Sequence, residues 1–318
     1  GLDIGRLMAE DQTALKEYNS FSSLITYLIG QGDDPDVRDY VAAVHDLNAQ
    51  QLADQKAVGD YLLGRKPAAR IKSMPVDIPQ GATAEETLAA TQGMRFISQK
   101  FVPDSYWTGK LTQGDEKASV NGHSLPTMAS SLEVMAILDS PYAKVHFSDL
   151  PFYTDTADHK IAIDTRLPEL KTEVASWGDT YWQASTYGTT LWTVSGMFQW
   201  LTGNHASLPA FMRSPLWEAK TLLTASGFWT ELRHTAILYA KQSFAELGGG
   251  GADNCDPRKV PEPPKGYVEP QPEAYDRLLY MAKRLHAEYD GRGMKLQNLD
   301  RLQNYIDLLD VVRECTKL

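Results

Sequence analysis

The stretch Phe228 to Gln242 constrains this chain most. It reads as a helix that is apolar on nearly every side, with ionisable residues set among the apolar ones. Glu231 and His234 are three apart and Lys241 follows two turns later, so all three share one face, with Arg233 beside it. A helix of that kind cannot stand alone: it needs neighbours on several sides, and its charges need partners.

The rest of the sequence supplies such neighbours. The periodicity predicts a helix over residues 3 to 28 and another starting at Asp34-Pro35, with Val37, Val41, Val58 and Leu62 on its core side. Thr83-Ala84-Glu85-Glu86 has the pattern of a capping box and predicts a helix to about Phe101. Ser130-Ser131-Leu132-Glu133 opens another, and Ser140-Pro141 ends it and starts the next. Residues 167 to 177, 179 to 202, the helix from Ser214-Pro215, the one from Gln271-Pro272 and a closing helix through Leu302, Ile306 and Leu309 complete the series. Lys160 to Ile163 is the one candidate strand near the middle, too short to anchor a sheet. Asn121 to Pro126 reads as a loop.

The expected fold is therefore mainly α, an array of antiparallel helical hairpins forming a bundle or an α/α toroid, with little or no sheet. Residues 1 to 318 are read as one helical domain, with Pro- and Gly-rich connectors at 65–80 and 248–272. The chain begins without Met, so a longer precursor is expected.

Composition removes some classes of function. A net charge of −10 argues against a nucleic-acid binder, which needs a basic face. No apolar run reaches the ~18 residues of a membrane span. Cys255 and Cys315 are too few for a thiolate zinc site and can make one bridge, which would contribute roughly 4 kcal/mol by chain entropy. No phosphate loop and no nucleophile elbow is present, and no cofactor is implied.

Glu231-Leu232-Arg233-His234 has the carboxylate–imidazole spacing of metal ligands in bundles. The same spacing suits acid–base work by Glu231 and His234, or a buried salt-bridge network joining helices. A metal site needs a second such motif, and none is present. Glu133 lies in a nearly all-apolar helix and must be paired or protonated there; Arg233 or Arg95 is its expected partner. Asp104 and Tyr106 follow a proline stop, where loops often carry function. The aromatics from Trp177 to Trp200 form either core packing or the wall of a cleft for sugars or peptides.

Several separated stretches together resemble one family, domain of unknown function 3160. They are Trp229 to His234 with Ile237 to Gln242; Met94-Arg95-Phe96 with Pro103 to Tyr106; Leu125-Pro126 with Leu132 to Ala136; Pro209, Phe211-Met212 and Trp217; and Gly266 to Pro270. The resemblance spans about Thr91 to Ala287. It implies a longer protein of which this is the C-terminal half, so that a missing N-terminal half, or another chain of the same assembly, completes the site. It also implies an exported or cell-surface location, which favours the cysteine bridge. It carries no activity. Where the family commonly has Asp after the motif His, this chain has Thr235, which removes a carboxylate beside His234. The expected function is a binding or structural component, with Arg233, Tyr239, Lys241, Arg95, Asp104, Tyr106 and Glu133 as binding residues. The alternative is a glycan- or peptide-directed hydrolase with Glu231 as general acid or base.

Overall fold

In a computed structural model the described residues are 1–65, 95–113, 119–146, 149, 157–202, 210–236, 268–293 and 299–316. Fourteen helices and one two-stranded hairpin make up the described chain, so the fold is mainly α, as the periodicity requires. None of the described helices is long and apolar enough to cross a membrane.

The N-terminal part is more broken than its periodicity predicts. α1 (Leu2–Glu10) and α2 (Gln12–Ile29) are separated at Asp11, whose carboxylate accepts from the backbone of Thr13 and Ala14 at 3.0 and 2.9 Å. A side chain that offers the backbone such partners restarts a helix where the apolar pattern alone would run through. Gly30, at φ 133°, ends α2. α3 (Val37–Asp46) is capped by Asp36 and Asp39 in a capping box, two residues later than Asp34-Pro35 suggests. It packs on α1, with Gly5 so close that an added Cβ would lie 2.8 Å from the Tyr40 carbonyl oxygen. α4 (Ala49–Ala53) and α5 (Gln55–Arg65) follow, burying Val58 and Leu62.

The helix expected up to Phe101 is not helical where it is described. Residues 95–101 are extended or bent: Lys100 bridges antiparallel to Gly32, and the Phe101 N–H donates to the Gln31 carbonyl at 2.9 Å. Pro103 holds Val102 extended, at φ −126°, ψ 136°, and then opens α6 (Pro103–Lys110). β1 (Ser119–Val120) and β2 (His123–Ser124) form a hairpin about Asn121 (φ 52°) and Gly122 (φ 87°), in place of the expected loop. An Asn-Gly pair in left-handed conformation is the turn that matches strand twist.

α7 (Ser131–Ile137) and α8 (Pro141–His146) start at the expected caps. Lys160 to Ile163 is not a strand: it lies within α9 (Ala157–Ala175). The stretch 179–202 divides into α10 (Asp179–Trp182) and α11 (Thr186–Thr202), because Ser185 caps the second piece through the Gly188 N–H. Conversely, the helix from Pro215 continues through Phe228 as α12 (Pro215–Ala236). α13 (Pro272–Gly291) and α14 (Leu299–Thr316) form a hairpin with its own small core of Leu279, Ala282, Ile306 and Leu309.

The central helix is α11, not the stretch from Phe228. Among the described elements it touches α2, α8, α10, α12 and α13. Leu191, Val194, Met197 and Phe198 bury its apolar sides. Its buried threonines stay satisfied by donating back along the helix: Thr189, Thr190 and Thr193 reach the carbonyls four residues earlier at 2.8–2.9 Å. Gly196 lets α13 approach, since an added Cβ would sit 3.3 Å from the Ala274 backbone.

Candidate functional site

The buried polar centre forms around Asp104. Pro103 sets the start of α6, which places Asp104 in its first turn, where the helix dipole favours negative charge. The carboxylate is fully buried. Trp229 Nε1 and Arg233 Nη1, both from α12, donate to Oδ2 at 2.8 Å. Tyr187 on α11 offers its hydroxyl at 2.9 and 2.8 Å from the two oxygens. Arg233 also donates to Ser105 Oγ at 3.0 Å, and its guanidinium lies 5.5 Å from the Trp229 ring centre. Burial works against the Arg233 charge, yet Asp104 and Tyr187 outweigh it and hold the guanidinium above its ordinary pKa. The Tyr187 phenol is pushed well above its ordinary value by burial and by Asp104. Three elements are tied through one carboxylate whose partners are all structural.

The other expected residues disperse. Glu231 and His234 are exposed on α12, and no described residue makes a hydrogen bond or ion pair with either side chain. Tyr106 donates to Glu173 at 3.2 Å, tying α6 to α9. Arg95 lies 3.4 Å from Asp34, in the N-terminal part. Tyr239, Lys241 and Cys255 lie outside the described residues, and Cys315 is a free, exposed thiol. No cluster of metal-ligating side chains occurs among the described residues.

Glu133 has neither expected arginine as partner. It caps its own helix: Oε2 accepts from the Ser130 backbone at 2.9 Å and from the Ser130 hydroxyl, while Oε1 is buried without a hydrogen bond. A residue three positions into a helix reaches its own cap more cheaply than a distant cation.

A second polar cluster, not anticipated from the sequence, lies at a cavity of about 370 Å³ between α9, α10, α11 and α13. Trp177, Trp182 and Trp192 wall it. The same aromatics serve the core: Trp107 lies behind, 6.0 and 6.4 Å from the Trp177 and Trp182 ring centres. Arg277 forms one side, 4.3 Å from the Trp192 ring centre. Its N–H groups reach Glu273 (2.9 and 2.8 Å), the Trp192 carbonyl (2.6 Å), Ser195 (2.8 Å) and Gln199 (2.7 Å). Four of the five guanidinium N–H groups are hydrogen-bonded in this way, and Nη2 also lies at ion-pair distance from Glu273.

Asp139 sits at the mouth. It follows the C-cap of α7, with the Ser140 N–H donating to Met135 at 2.9 Å and its own N–H to Ala136 at 3.3 Å. That is the Schellman arrangement, in which glycine usually takes the left-handed position. Here Asp139 takes it, at φ 77°. Its Oδ1 accepts from Lys171 at 2.7 Å and lies 2.9 Å from Lys144 Nζ. Burial opposes the Asp139 charge, but the two lysines outweigh it and hold the carboxyl below its ordinary pKa; burial draws Lys171 down. The available signal was an aspartate just past an apolar helix, before Ser140-Pro141.

A further cavity of about 350 Å³ lies on the Tyr181 side, walled by Ile29, Phe101 and Pro103. Its lining is mostly apolar and backbone, with Gln31, Asp33, Tyr181 and Ser185 as the polar side chains.

The Glu133 environment generates a prediction. Burial raises its carboxyl from 4.5 to about 7 against the pull of the Ser130 hydrogen bonds. The folded state then holds its proton more tightly than the unfolded chain does. The stabilising contribution is complete below the unfolded pKa and is lost as pH rises from about 4.5 through about 7. Denaturant midpoints measured across pH 4.5–8 are expected to carry this fall in the wild type and to lose it in Glu133→Gln; an unchanged profile would show that Glu133 is ionised in the fold.

Comparison with known proteins gives one result. No curated protein and no solved structure matches the chain. The model of one family, described as protein of unknown function (DUF3160), matches residues 4–317, nearly the whole chain. The protein therefore belongs to that family.

Proposed function

We propose that the protein is an extracytoplasmic binding component whose ligand site is the cavity walled by Trp177, Trp182 and Trp192. Aromatic walls with a few placed polar groups are the usual composition of small-ligand sites. The location rests on the family resemblance alone. Protease treatment of intact cells is expected to cleave an extracytoplasmic chain; full protection until lysis would contradict the location.

The observation that carries the binding reading is Asp139. A left-handed aspartate costs about 1 kcal/mol where glycine would cost little. The return in stability is small, because its lysine partners are part-exposed and such pairs contribute about 0–1 kcal/mol. The strain makes sense if the carboxylate and its lysines serve a ligand. The hydrolase reading gains no comparable support: Glu231 is exposed and lines neither cavity, whereas a glycosidic acid works in a cleft opposite a second carboxylate.

Asp139→Gly separates the two roles. Its stability by chemical denaturation is expected to stay within about 1 kcal/mol of wild type, while the tryptophan fluorescence response to neutral sugars or dipeptides disappears. A clear loss of stability with ligand response retained would make Asp139 a structural cap.

A further inference from the structure

The charge pattern of the same cavity narrows its ligand, and this step rests on the binding reading above. Four charged residues line it, Asp139 and Asp179 against Lys171 and Arg277. Arg277 directs four N–H bonds to Glu273, the Trp192 carbonyl, Ser195 and Gln199, and its flat face to Trp192. Most of its hydrogen-bonding capacity therefore goes to the wall itself. Lys171 and Lys144 both sit on Asp139 Oδ1, at 2.7 and 2.9 Å, so two ammonium groups hold one carboxylate. The charges that line the cavity balance two against two, which favours a neutral ligand over an anion or a cation.

Hydrogen-bonding capacity remains. Both lysine contacts of Asp139 fall on Oδ1, which leaves Oδ2 able to accept. The Lys171 ammonium has three N–H bonds, one of which goes to Asp139. Asp179 is exposed at the start of α10. An acceptor and a donor 2.7 Å apart suit two adjacent hydroxyl groups, one donating to the carboxylate and the other accepting from the ammonium. The indoles beside them suit the apolar C–H face of a ring. A peptide would meet charged side chains where it needs backbone partners.

We infer that the cavity binds a neutral sugar ring through a pair of neighbouring hydroxyls, held between Asp139 and Lys171 and laid against the Trp192 side of the cavity, with Asp179 accepting from a further hydroxyl.

The test uses the full chain and three sets of probes: neutral hexoses and their disaccharides, the corresponding uronic acids, and dialanine. Binding is read by calorimetry and tryptophan fluorescence on wild type, Asp179→Asn and Trp192→Ala, with denaturation midpoints to establish folding. The expected result is binding of one or more neutral sugars. It is weakened tenfold or more in Asp179→Asn, a change at an exposed position that leaves folding intact. Trp192→Ala is expected to lose the fluorescence response. Preferential binding of uronic acids or dialanine at this cavity would overturn the sugar assignment and leave the binding reading standing. Neutral-sugar binding unaffected by both variants would overturn the assignment to this cavity. No response to any probe would overturn both.

Discussion

The fold depends on one desolvated carboxylate. Asp104 has no access to water, so every hydration partner it loses must be replaced by a protein donor. Tyr187, Trp229 and Arg233 supply those donors from two other helices. That requirement fixes α6 against α11 and α12 at once, because an indole N–H, a phenol and a guanidinium reach one carboxylate in few arrangements. Apolar packing supplies most of the stability, but it is tolerant of small displacements; the Asp104 centre is not.

Two polar clusters therefore have different characters. Around Asp104 the groups are buried and mutually committed, which is the condition of a structural network. Around Asp139 a strained backbone holds a partly exposed carboxylate beside lysines and indoles at a cavity mouth. Strain without a matching return in stability is the ground on which a ligand site is proposed there. Trp177 and Trp182 serve both: their faces pack toward Trp107 in the core and the same rings wall the cavity, so the sequence-based alternatives of core or cleft wall are not exclusive.

Much of the fold was legible. Cap-then-proline pairs marked the starts of α8 and α12, Pro272 marked that of α13, and the 3.6-residue period carried the mainly α class. Arg233 and Asp104 both stood among the expected polar residues, but the anion expected for Arg233 was Glu133, because sequence alone does not show which carboxylate a helix start carries to it. Other parts failed for physical reasons. Capping side chains at Asp11 and Ser185 interrupted helices that apolar periodicity ran through. Residues 95–101 were captured by pairing with residues 31–32, a tertiary choice with no local trace. Glu133 found its acceptor role at its own cap. Asn121-Gly122 was a readable hairpin signal. Asp139 was the least legible, since its place just past an apolar helix and before Ser140-Pro141 is a weak signal for a left-handed position that glycine usually takes.

The most direct measurement is a double-mutant cycle between Asp104 and Arg233, read by equilibrium denaturation together with sugar binding by the folded protein. The account predicts a coupling of about 2–3 kcal/mol, with the affinity of the folded variants unchanged, because the structural centre and the ligand cavity are separate. A coupling near zero, or a loss of affinity that tracks Asp104 rather than Asp139, would contradict it.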